Sequence, residues 1–145
     1  SRVWFVATRE LSERIANAEE SFEVEGLKEA EKHLVDKENY SVRSIRWRGK
    51  SRFRAEAKAG DLVIESHTEV RGARNYVQVL RAAPILHRQD NDKWTRFYIE
   101  TAPEGTYYFW KDVKAEFAKL GISNITQNST KELTGNALGI LQHME

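Results

Sequence analysis

The sequence predicts an α+β fold: a curled, mostly antiparallel sheet or small barrel flanked by helices. Three observations carry that prediction. Short apolar runs recur at close spacing through the middle of the 145 residues, separated by glycine-containing turns. Clear helical periodicity is confined to the two ends of the chain. Residues 41–58, SVRSIRWRGKSRFRAEAK, alternate basic and apolar side chains with a period of two, so that bases project from one strand face and apolar groups from the other.

The elements follow in order. VWFVA (3–7) is a short, β-prone apolar run and reads as a buried strand. ELSERIANAEESF then places Leu11, Ile15, Ala18 and Phe22 at helical spacing; Gly26 breaks the pattern, and LKEAEKHLV (27–35) resumes it. This predicts two short acidic helices. From Tyr40 the period changes to two. Val42 and Ser44 alternate with Arg43, and Ile45, Trp47 and Gly49 alternate with Arg46, Arg48 and Lys50. Phe53, Ala55 and Ala57 then oppose Arg52, Arg54, Glu56 and Lys58, which predicts a hairpin connected at Gly49-Lys50-Ser51.

Ala59-Gly60-Asp61 reads as a tight turn into the strand DLVIESHTEV, and Gly72 leads into one further strand within ARNYVQVLRAAPIL. TRFYIETA (95–102) is another strand, ended by Pro103-Glu-Gly105. Trp110, Val113, Phe117 and Leu120 then mark an amphipathic helix stopped by Gly121. Ser129-x-x-Glu132 is a possible capping box for a last helix over 130–143, which Gly135 and Gly139 weaken. The expectation is about five strands, one domain over residues 1–122, and a tail over 123–145 with a short helix, packed or linking to an effector.

Composition bounds the function. With no cysteine, neither a disulfide framework nor a thiolate metal site can form. No apolar run approaches the ~20 residues of a membrane span, and no signal-peptide pattern opens the chain, so the expectation is a cytoplasmic domain without membrane contact. On that expectation the sequons at Asn124 and Asn128 are chance matches. The net charge is only +1, but it is unevenly spread: residues 10–39 hold ten acidic and four basic side chains, and residues 41–58 hold seven basic and one acidic. Arg71, Arg74, Arg81 and Arg88 extend the basic half. Such asymmetry points to an anionic partner on one face. The alternative is that the two regions neutralise each other.

The search for chemistry narrows the choice. His33, His67, His87 and His143 show no ligand spacing, so no metal or other cofactor is expected. There is no glycine-rich phosphate loop and no serine at a nucleophile elbow. Glu56-Ala-Lys58, with Asp36 before it and Asp61 after it, is an acid-x-Lys pair of the kind that holds Mg²⁺ in restriction-type nucleases. A glutamate and a lysine two apart on a charged strand face are also commonplace. The basic stretch likewise has two readings. It is either a solvated strand face with Trp47 in the core beside Ile45 and Phe53, or a phosphate-binding surface with Trp47 at a pocket mouth, stacking on a base. In the second reading Arg43, Arg46, Arg48, Lys50, Arg52, Arg54 and Arg74 contact phosphates.

Several motifs also occur in a telling order: VWFVATRE, then Trp47-Arg-Gly49, then Lys58-Ala-Gly60-Asp61, then GDLVIESHT, then RFYIETAPEG followed by YYFWKDVKAEFAKLG. Over roughly residues 1–121 this order resembles the EVE domains of the PUA-like superfamily, relatives of the YTH and ASCH domains. In those domains the strand after the Gly-Asp turn often ends near Tyr-His-Ser; here His67 matches the histidine and Ser66 replaces the aromatic. The resemblance implies a PUA-like fold and non-catalytic binding of nucleic acid, with a modified base, such as a methylated one, taken into an aromatic pocket. It also implies a place as the reader module of a modification-dependent restriction or defence system, alone or beside an effector domain or subunit. Trp47 and His67 carry over as pocket-lining, with Ser66 beside them. Trp4 and Trp110 are added for their aromatic character, although a core role on the helix stripe is the stronger expectation for Trp110. DNA is the preferred partner over RNA. The alternatives are a Mg²⁺-dependent nuclease using Glu56 and Lys58, and a charged protein-interaction domain.

Overall fold

Val3–Thr8 forms strand β1, and Trp4, Phe5, Val6 and Ala7 are buried in succession. A strand apolar on both faces needs a cover on each, and that requirement organises the molecule. The computed structural model describes residues 1–8, 13–14, 21–71, 74–100, 106–123 and 129–134. Within them lie strands β2 (Glu13–Arg14), β3 (Val42–Arg48), β4 (Leu62–Arg71), β5 (Arg74–Val79), β6 (Ala83–Asp90), β7 (Trp94–Glu100), β8 (Thr106–Phe109) and β9 (Ser129–Leu133). The helices are α1 (Ser21–Glu31), α2 (Arg52–Glu56) and α3 (Trp110–Lys119).

The strands form one sheet in the order β2-β3-β7-β6-β4-β1-β9, with β5 and then β8 branching from β4. Among the described residues only β1 and β4 pair in parallel. Strand β4 is the branch point: Leu62 and Val63 pair with β6, whereas Ser66–Arg71 pair with β5. The sheet therefore curls around Trp4 and Val6 of β1, Ile45 and Trp47 of β3, and Phe97 and Ile99 of β7, which share one core cluster. Helix α2 closes one end of that cluster. The ring of its buried Phe53 lies 5.7 Å from Trp4, 5.9 Å from Trp47 and 4.4 Å from Phe97. The other face of β1, carrying Phe5 and Ala7, is covered by Val113 and Phe117 of α3. Helix α1 covers Val42, Leu86 and Tyr98 on the outside of the remaining strands. No helix among the described residues is long and apolar enough to cross a membrane.

The mixed architecture and the flanking helices agree with expectation; several local elements do not. The helix expected over 10–22 does not run through Glu13–Arg14, which pair with Ser44 and Arg43 of β3. Gly26 does not separate two helices. Helix α1 passes through it and stops at Glu31, because Gly26 is where the helix touches Tyr98: a Cβ there would lie 2.2 Å from the phenol ring. The hairpin expected over 42–58 is half correct. Its first strand is β3, but residues 52–56 form α2, with Ser51 Oγ accepting from Arg54 N at 3.0 Å as the N-cap. Phe53 and Ala57, four apart, are buried while Ala55 is exposed, which is the burial of a helical turn and not of a strand.

The single strand expected within 73–86 is two, β5 and β6, parted at Leu80–Ala82, so the sheet has more strands than the five or so expected. The last helix expected over 130–143 is replaced at 129–133 by β9, whose residues pair with Val3–Ala7. The β1 edge outweighs the local capping signal. The turn at 58–61 is as expected: Gly60 takes φ +95, and Asp61 N donates to Lys58 O at 3.0 Å. Helix α3 also ends as expected, with Gly121 at φ +82. The residues proposed to end the strand at 103–105, the sequon asparagines Asn124 and Asn128, and the tail from 135 onward lie outside the described residues.

Candidate nucleic-acid interface

On β3 the alternation has its predicted effect. Ile45 and Trp47 are buried, Arg46 and Arg48 exposed. Gly49 then turns the chain at φ +81, a conformation that favours glycine, and Lys50 and Ser51 lead into α2. Beside this segment is a groove of about 460 Å³, lined by Arg46, Trp47, Arg48, Lys50, Ser51, Ser129 and Thr130. Strand β3 is next to one end of the sheet and β9 is the other end, so the curl brings them together across α2. Three of these described lining residues are cationic and none is acidic. Within a Debye length of ~8 Å at physiological salt, their potentials add.

The aromatic candidates do not surround one pocket. Trp47 is 8% exposed and packs against Phe53 with its ring plane at 83°, so little of it reaches the groove it lines. Of the two readings of Trp47, the core position is the one observed. Trp4 is 1% exposed, and its Nε1 donates to Asp61 Oδ2 at 3.1 Å. Ser66 and Trp110 belong to the other side of the sheet. Ser66 lies beside Ile64 and pairs with Val79, and Trp110 packs on Phe117 at 5.4 Å. His67 follows the opposite alternation to Ser66, but it is four residues along β4 from Val63, the partner of Trp4, or about 13 Å at the strand rise. Resemblance and aromatic character grouped these residues; the fold puts them on different faces and at different ends of the sheet.

The phosphate candidates also divide. Arg46, Arg48 and Lys50 converge on the groove. Arg52 is committed elsewhere: it donates to Glu56 at 2.8 Å and to Glu132 at 3.1 Å, and Arg2 donates to the same two carboxylates. Arg54 reaches Thr95 Oγ1 at 3.2 Å and Gly49 O at 3.3 Å, on the wall of a second groove of about 610 Å³ shared with Lys50, Arg88 and Asp90. Arg43 lies at the far end of β3 on the inner side, near Glu65 and Glu100, so it is not a groove residue. Arg74 sits on the β5 branch against Phe109, its guanidinium 5.6 Å from the ring centroid, and is likewise remote from β3 and β9.

The acid-x-Lys pair is not on a strand. Glu56 ends α2, and Arg52, with Arg2, holds its carboxyl below the usual range. Asp61, the following acid, accepts from Trp4 Nε1, Arg2 N and Lys58 N. Both carboxylates serve to hold β1, α2 and the turn together. Among the described residues no group of three or more His, Asp or Glu side chains is placed to hold a metal ion.

Two features escaped sequence reasoning. Trp94 on β7 pairs with Arg48, and two guanidinium carbons approach its ring: Arg96 at 5.0 Å and Arg46 at 5.8 Å. The run Trp94-Thr-Arg-Phe-Tyr-Ile shows no alternation of polar and apolar residues, so no period of two in the sequence set Trp94 apart. Gln78 on β5 pairs with His67, and among the described residues neither the buried Gln78 Oε1 nor the buried His67 Nδ1 has a hydrogen-bond partner. Ser66 Oγ is buried and likewise has no partner among the described residues. No protein-family model, curated protein or solved structure matches this chain.

Proposed function

We propose that this chain binds nucleic acid without cutting it, as a PUA-like reader of a modified base, with DNA preferred to RNA. The observation that carries the reading is the groove between β3 and β9, where Arg46, Arg48 and Lys50 converge with the hydroxyl residues Ser51, Ser129 and Thr130 and with no acid among the described lining residues. Among the described residues Arg48 and Lys50 form no ion pair, so their charge is available to phosphates. Neutralising phosphates releases condensed counterions, which gives affinity independent of sequence. Hydroxyls and a cationic wall are the usual donors to phosphate oxygens.

Base reading rests on His67, the position carried over by resemblance, together with its cross-strand partner Gln78. A buried polar atom without a partner costs ~1–3 kcal/mol, and the edge of an extruded base can supply the missing hydrogen bonds. The module acts in the cytoplasm, alone or beside an effector.

The test is a binding panel of short duplexes and single strands, with and without methylated bases, titrated across salt. With about three phosphates engaged, log affinity should fall against log salt with a slope of about −2 to −3. Arg48→Glu with Lys50→Glu should weaken every ligand and flatten that slope, whereas His67→Ala should remove only the preference for the modified base. An unchanged slope in the double variant would exclude the groove. Preserved discrimination in His67→Ala would move base reading elsewhere.

A further inference from the structure

We propose that the second groove, between α2 and the β6–β7 hairpin, carries the same nucleic acid onward, so that one single strand crosses the Gly49–Ser51 turn and is held on both sides of it. The inference rests on the nucleic-acid reading above and lengthens the track. This groove holds about 610 Å³. Lys50 and Ser51 line it and the first groove alike, so the two are continuous at the turn.

Arg54 is the cation peculiar to the second groove. Among the described residues it forms no ion pair. Its Nε donates to Thr95 Oγ1 at 3.2 Å and its Nη1 to Gly49 O at 3.3 Å, both neutral acceptors. A guanidinium held by neutral groups keeps its remaining N–H donors, and its charge, for an anion from outside. The anchor beneath it is firm. Thr95 is fully buried, and its hydroxyl donates to Asp90 Oδ1 at 2.6 Å. Arg88 clasps the same carboxylate through Nε and Nη2, each at 3.0 Å. A phosphate arriving at Arg54 would therefore order little that is not already ordered.

Charge and continuity select the occupant. Four of the described lining residues are cationic and two acidic, and both acids are already engaged: Asp90 by Arg88, and Glu56 by Arg52 and Arg2. The wall is thus net positive, and Lys50, exposed at the turn, joins its potential to that of Arg46 and Arg48. A three-residue turn spans at most ~10 Å. A duplex, with a persistence length of ~150 bp, cannot settle into two grooves over that distance. A single strand can, and a positively charged groove that follows its backbone is how such strands are held.

The experiment titrates the full chain with oligothymidylates of about four and about ten nucleotides across salt. In the wild type the longer oligomer should bind more tightly, and its log–log salt slope should be steeper by about 0.7 for each phosphate added in the second groove. Ala55 lines that groove from the exposed side of α2, so a charge can be placed there without disturbing the core. Ala55→Glu should weaken the longer oligomer by about fivefold or more, remove its extra slope, and leave the shorter within about twofold. Ala55→Gln, of the same size without the charge, should bind both like the wild type, and Ala55→Arg should tighten the longer alone. Equal slopes for the two lengths in the wild type would overturn the continued track while leaving the first groove in place. So would an Ala55→Glu protein that binds the longer oligomer like the wild type, or loses both lengths equally, and so would a wild type that binds duplexes and neither oligomer. Failure of the wild type to bind any single strand or duplex would instead remove the nucleic-acid reading, and the track with it.

Discussion

Trp47 meets Phe53 edge to face, with ring centroids 5.9 Å apart and ring planes at 83°, and this contact locks the basic strand to the helix that follows it. Both residues are buried, in the same cluster as Trp4 and Phe97. The basic stretch is thus a surface on which the cations are exposed and the aromatic ring is the anchor. Its tryptophan anchors β3, the strand that carries Arg46 and Arg48, against Phe53.

Trp47→Ala should accordingly act through stability. Truncating a buried tryptophan typically costs ~3–5 kcal/mol, so the variant should melt well below the wild type and lose binding as it unfolds. Trp47→Phe, which keeps an apolar ring against Phe53, should stay folded and bind unmodified and modified oligonucleotides in the wild-type ratio. Thermal unfolding and titration of both variants check this. A Trp47→Ala protein that melts like the wild type but no longer discriminates between bases would make the ring a reader after all.

The close approach of α1 to the sheet gives a second expectation. Alanine is the better helix former by ~1 kcal/mol, so Gly26→Ala on an open helix would stabilise. Here the new Cβ would lie 2.2 Å from the Tyr98 ring and 2.5 Å from Gln89 Oε1. The ring has nowhere to go: Tyr98 is 0% exposed, its hydroxyl donates to Gln89 Oε1 at 2.6 Å, and burial pushes its phenol pKa up to about 12. Gly26→Ala should destabilise by ~1–3 kcal/mol in denaturant unfolding, and a neutral or stabilising result would mean that the helix shifts freely.

These two sites show what the sequence could and could not disclose. Strands β1, β3, β4 and β7 were legible because each carries its own apolar pattern, and α3 because Val113, Phe117 and Leu120 repeat at helical spacing. Helix α2 was not, since a separation of four, as between Phe53 and Ala57, satisfies a period of two and a period of 3.6 alike. Only the exposure of Ala55 decides between them, and exposure is a property of the fold. Gly26 looked like a breaker because its partner, Tyr98, is distant in sequence. The cationic half of the groove, Arg46, Arg48 and Lys50, was written in β3 and the turn after it. Its other wall, Ser129 and Thr130, depends on β9 pairing with β1, a long-range contact with no local signature beyond a misleading capping box.

That wall leads to the last expectation, which concerns pH. Glu132 of β9 accepts from Arg2 Nη2 at 3.0 Å and from Arg52 Nη2 at 3.1 Å, tying β9 to the residue before β1 and to α2. Hydrogen bonding from Arg2, with the nearby charge of Arg52, holds the Glu132 carboxyl below its ordinary pKa of 4.5, and Arg52 does the same for Glu56. A carboxyl whose pKa is lower in the folded chain than in the unfolded one stabilises the fold above the ordinary value. It loses that contribution as pH falls through the depressed value. The contribution of this cluster should therefore be intact at neutrality and decline below about pH 4.5, with that decline weakened in Glu132→Gln and in high salt, which screens these partly exposed pairs. Because Ser129 and Thr130 stand on the same strand, oligonucleotide binding by the groove should weaken over the same acid range before the core melts. The check is thermal unfolding and binding of wild type and Glu132→Gln from neutral pH into the acid range; identical acid profiles for the two would show that the Arg2–Glu132–Arg52 cluster does not hold the groove wall in place.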